Sequence, residues 1–180
     1  MSTDAQTPLR ADQFQWRVEG GGVETGARCL AFLAEVGIAV RLRDAETSQS
    51  IEGLSIRDGA VVIDPEVPIW PGDLLHEAGH VAVVPPETRA TMSEVRRILA
   101  EERMAIAWSY AAAKQCGVGL RELFHSEGYK GRSEFAAQCY ALGRYEGADL
   151  LAAQGMTEID LMRALELGHP TYPNMLRWLR

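Results

Sequence analysis

Between Pro71 and the Pro85-Pro86 pair the chain reads GDLLHEAGHVAVV, and this stretch limits the fold more than any other. The trailing prolines stop a helix, because proline lacks an amide donor and clashes with the preceding turn. Wound as a helix, the stretch spreads Leu74, Leu75, Ala78, Val81, Ala82, Val83 and Val84 nearly all round. A helix without a polar face belongs inside a domain. This one nevertheless carries His76, Glu77 and His80, which are costly to bury without partners.

The flanking patterns supply the layers around it. Residues 23–36 place Cys29, Leu30, Leu33 and Val36 on one helical face, with Gly37 as C-terminal cap. Residues 38–44 (IAVRLRD) alternate apolar and polar as a half-buried strand does. Residues 53–65 read as a hairpin whose two β-rich runs meet at Asp58-Gly59. Thr91 and Glu94 have capping-box spacing and predict a long helix over about 93–116, ended by Gly117. Beyond it, repeated glycines divide the chain into short helices, with Ser133 and Thr157 as N-caps. Helix, three strands, then helices only is the order of an α+β domain: a small three-stranded sheet with helices to one side.

A length of 180 residues fits one domain with a buried core. The expected organisation is a flexible segment over 1–21, a core over 22–116 and a helical extension over 117–180. The net charge of −7 and the absence of a Lys/Arg run disfavour nucleic-acid binding, which depends on cations facing phosphate. No stretch approaches the ~18 apolar residues of a membrane span. The opening MSTDAQTPLR has no charged-then-apolar leader, so a cytoplasmic protein is expected. Cys29, Cys116 and Cys139 form no CxxC pair and read as buried apolar residues.

His76 and His80 are four residues apart, so one helical face aims both imidazoles at a common point. That supplies two of the nitrogen ligands a zinc ion takes, and the ion would satisfy the buried polar groups together. Glu77 is placed to act as general base on a water acidified by the metal. A catalytic zinc generally needs a third protein ligand. The extended H-E-x-x-H-x-x-G-x-x-H form fails, because Val83 and Pro86 occupy its last two positions. Residues 100–113 offer Glu101 and Glu102 instead. Glu102 shares its face with Ala105, Ile106, Ser109 and Ala113, and such small residues favour a close approach to the histidine helix. Glu102 is therefore preferred to Glu101.

His76-Glu77-x-x-His80 followed by Glu102-x-x-Ala105-x-x-Trp108-Ser109 resembles the IrrE/ImmA-type zinc metallopeptidases. Their pattern is H-E-x-x-H and later E-x-x-A-N-x-F-A. Ile106 stands where that pattern has asparagine. The likeness covers about residues 22–116. It implies a zincin-like fold, zinc (Zn2+) held by His76, His80 and Glu102, Glu77 as base, and a peptide or protein substrate such as a regulatory protein. HEAGH also occurs in membrane-bound AAA-type proteases, whose distant third ligand would fall on Asp149 or Asp160. The chain has neither a Walker A sequence nor a membrane span.

Peptide hydrolysis also needs a donor for the developing oxyanion. His125 and Tyr129, in the glycine-punctuated LFHSEGYKG, are the candidates. His169 is expected at the surface, and Trp16, Trp70 and Trp178 in packing. Two other readings stand beside the peptidase: a catalytically inactive zincin-like scaffold that binds a regulatory partner, and metal-assisted hydrolysis of a non-peptide substrate.

Overall fold

In the computed structural model, residues 9–43 and 53–180 are described. They form eight α-helices and a three-stranded mixed sheet. Of the expected flexible segment 1–21, residues 1–8 lie outside the described ones. Within 9–21, Ala11, Phe14, Trp16 and Gly20 are buried, while Val18 is exposed. Two 3-10 turns (Ala11–Gln13 and Val18–Gly20) flank Trp16, which is 7% exposed. Trp16 donates its indole N–H to Ala11 O, and its backbone bridges Ile69. An indole of this size, once its N–H is satisfied, gains more from burial than the segment loses in freedom.

Helix α1 (Gly22–Val36) buries Cys29, Leu30 and Leu33 and stops at Gly37, in the left-handed conformation. Strand β1 (Val40–Leu42) follows, then β2 (Leu54–Arg57) and β3 (Ala60–Ile63). The sheet order is β1-β3-β2. β1 runs parallel to β3 with Val40 opposite Val61, and β2 runs antiparallel to β3 with Leu54 opposite Ile63. The hairpin turns where predicted: Asp58 and Gly59 both have positive φ (48° and 70°), as a type I′ turn demands. The end of the expected strand 38–44, Asp44, lies outside the described residues.

Helix α2 (Pro71–Ala82) starts with proline at its first position, and all twelve of its residues are buried. It packs on the sheet, on α1 and most extensively on α4 (Leu99–Cys116). A Cβ on Gly79 would stand 2.8 Å from Ala105 O, so glycine there permits the closest approach of the two helices. Short α3 (Pro86–Arg89) and α5 (Leu120–Leu123) follow α2 and α4. The remaining helices are α6 (Ser133–Ala141), α7 (Ala148–Ala153) and α8 (Leu161–Leu167).

Thr91 and Glu94 do not open a helix, contrary to their spacing. Gly59 N bonds Met92 O and Asp58 N bonds Ser93 Oγ, so this stretch is tied to the hairpin turn and α4 starts only at Leu99. Neither expected N-cap acts as one. Ser133 lies within α6 and donates to Gly128 O. Thr157 donates to Asn174 O, while Asp160 caps α8 by accepting from Met162 N and Arg163 N. The C-terminal stretch returns across α4: Tyr172 donates to Ala107 O, Trp108 donates to Trp178 O, and Arg180 N reaches Ala82 O. No described helix is long and apolar enough to cross a membrane.

Candidate metal centre

The crossing of α2 over α4 assembles the site. His76 and His80 lie on either side of Gly79 in the chain, and Glu102 is one turn before Ala105 on α4. The Gly79–Ala105 contact therefore brings both elements' polar groups together. The two imidazole Nε2 atoms are 3.2 Å apart. Glu102 turns one carboxylate oxygen to each: Oε1 is 3.5 Å from His76 Nε2, and Oε2 is 3.3 Å from His80 Nε2. Four ligands held about 2.0–2.1 Å from a tetrahedral ion stand about 3.3–3.4 Å from one another. The observed separations are of that size, with a different Glu102 oxygen facing each imidazole. Among the described residues this is the one group of three or more His, Cys, Asp or Glu that converges to metal-binding distance.

Burial prepares the histidines for ligation. It holds His80 at about 4, and it holds His76 well below the ordinary imidazole value, with the neighbouring His80 adding to the effect. Both rings are thus neutral at pH 7, with lone pairs available to a cation. Glu77, beside His76 in the chain, is 2% exposed. The Glu102 side chain is 43% exposed, so the group is open on the α4 side. Glu101, the alternative third ligand, is committed elsewhere: its carboxylate pairs with the Arg96 guanidinium. Asp149 lies 3.9 Å from Arg103, and Asp160 is the cap of α8. Neither belongs to the cluster.

The segment 123–131 does fold against α2. The Tyr129 ring packs edge-on to His76, with centroids 5.2 Å apart, and also touches Phe124. Its hydroxyl is buried, with the Ser109 hydroxyl as its neighbour. Burial, reinforced by the Asp73 carboxylate, raises its pKa, so it remains a neutral donor. Tyr129 also has φ +50°, which is uncommon for a non-glycine residue. His125 is held one turn earlier along α2. Its Nε2–H donates to Asp73 Oδ1 at 2.9 Å, and its ring stacks on Trp70 at 4.1 Å and 4°. A carboxylate only accepts, so Nε2 carries a proton. His125 Nδ1 is buried without a hydrogen-bond partner.

Asp73 and Trp70 are the site residues that reading the sequence misses. The signal for Asp73 was present: it lies three residues before His76 and four before Glu77. Its meaning depended on His125, 52 positions away. Trp70 does more than pack: it stacks on His125 and donates to Glu127 Oε2. Trp16 and Trp178 do pack, and His169 is exposed. Compared with protein-family models, curated proteins and solved structures, the chain matches none.

Proposed function

We propose that this protein is a zinc-dependent metallopeptidase with a zincin-like fold of the IrrE/ImmA type. One observation carries the reading: the convergence of His76, His80 and Glu102, whose imidazole Nε2 atoms are 3.2 Å apart and face the two Glu102 oxygens at 3.5 and 3.3 Å. Two imidazoles and one carboxylate are the donor set of catalytic zinc sites, and three protein ligands leave a position open. Zinc bound there supplies a Lewis acid and lowers the pKa of water toward neutrality.

The chain's own groups complete the chemistry. Glu77 accepts the proton of the water that attacks the scissile carbonyl and passes it to the departing amine, so the C–N bond breaks without releasing an amide anion. The Tyr129 hydroxyl, kept neutral by burial, donates to the developing oxyanion. His125, oriented by Asp73 and Trp70, is the second candidate donor. The substrate is a peptide or protein, and a regulatory protein is the kind the family likeness favours.

The test is zinc analysis together with cleavage of a peptide library. About one zinc per chain, with hydrolysis lost in Glu77→Gln, supports the proposal. Zinc retained with no peptide cleaved assigns the fold to the inactive, partner-binding scaffold, and a protein without affinity for zinc removes both readings.

A further inference from the structure

Two candidate donors stand beside the metal centre, and their surroundings divide the work between them. His125 gives its Nε2–H to Asp73 Oδ1 at 2.9 Å and lies flat on Trp70. Both contacts are to the start of α2. Tyr129 instead packs on His76, one turn further along, with ring centroids 5.2 Å apart. The stretch between the two is a closed turn. Gly128 N bonds His125 O, Arg132 N bonds Tyr129 O, and Ser133 Oγ donates to Gly128 O. A Cβ on Gly128 would stand 3.2 Å from the His125 ring, so the turn closes directly on that ring. Tyr129 holds φ +50°, which a non-glycine residue keeps only where its surroundings impose it.

Asp73 is 9% exposed, and a buried carboxylate is costly without a strong partner. An acidic residue in the first turn of a helix complements the helix dipole, but that role does not require His125. We propose that Asp73 and His125 are positioning residues and that Tyr129, not His125, is the oxyanion donor. The Asp73–His125 bond pins the 125–129 turn to α2 and thereby holds the Tyr129 ring over the metal centre. This inference rests on the peptidase reading and assigns the roles within that site.

Hydrogen exchange and peptide hydrolysis by the zinc-loaded full chain test it. Asp73→Ala and His125→Phe remove the bond from either end, and phenylalanine keeps the stack on Trp70. Each should speed exchange at the Gly128 and Arg132 amides about tenfold or more. Each should lower kcat about 10–10²-fold, with KM within about twofold and zinc affinity unchanged. Asp73→Asn, whose amide oxygen still accepts from Nε2–H, should recover most of both losses. Tyr129→Phe should lower kcat about 10²–10³-fold, and adding Asp73→Ala to it should cost no further kcat. Exchange unchanged in Asp73→Ala and His125→Phe overturns the inference. So does a double variant whose losses multiply, because His125 would then act on the substrate itself. If the wild-type chain cleaves no peptide, the peptidase reading fails and the donor role of Tyr129 falls with it, while exchange still decides whether the bond pins the turn.

Discussion

At the scale of the residue, neighbours only a few positions apart have different tasks. Glu102 faces the imidazoles while Glu101 pairs with Arg96. Glu102→Ala should therefore abolish tight zinc binding, and Glu101→Ala should leave it, as a competition titration with a chromophoric chelator would read. Glu77→Gln should retain the metal and lower kcat by about 10²–10⁴, the usual contribution of a general base; equal loss of metal would place Glu77 among the ligands instead. The buried histidines also set a pH dependence. An unfolded histidine titrates near 6.5, whereas His80 is held at about 4 and His76 well below its ordinary value. Below pH 6.5 the unfolded chain takes up protons that the folded one refuses. The metal-free protein should therefore lose stability as the pH falls from 6.5 toward 4, by up to about 1.4 kcal/mol per pH unit for each histidine. Urea unfolding at pH 7.5 and 5 measures this, and equal stability at the two values would contradict it.

At the scale of the element, the site depends on how closely two helices approach. Gly79→Ala places a methyl group 2.8 Å from Ala105 O, which is backbone and cannot move aside cheaply. The expected cost is about 1–3 kcal/mol of stability, together with weaker zinc binding as α4 and Glu102 are pushed off. Melting and zinc titration should change together; a loss of stability with zinc affinity intact would separate the helix contact from the donor triangle. This contact also marks the limit of what the sequence made legible. Helix α1, the hairpin with its Asp58-Gly59 turn and the buried α2 followed from local periodicity and turn chemistry. The start of α4 did not, because Thr91–Glu94 has capping chemistry while the hairpin turn claims Met92 and Ser93. His76, His80 and Glu102 were legible because their spacing encodes a shared chemistry. The Asp73–His125 bond was not, since it joins groups 52 residues apart with no motif between them.

At the scale of the whole molecule, the chain closes on the end of α2. Arg89 donates to the carbonyls of Val81, Ala82, Val84 and Arg180, so one guanidinium ties the helix end to the C-terminal stretch. Arg89→Met should cost about 2–4 kcal/mol by leaving buried carbonyls unpaired, and lower the melting temperature by several degrees. Zinc stoichiometry should not change. The α+β arrangement thus places a buried helix between a small sheet and α4, with the donor triangle at their crossing. The most direct test of that centre is the zinc K-edge absorption spectrum of the protein loaded with one equivalent. The expected result is a nitrogen and oxygen shell at about 2.0–2.1 Å with the signature of two imidazoles, one of which disappears in His80→Ala. A sulfur shell at about 2.3 Å, or no zinc held after dialysis, would contradict it.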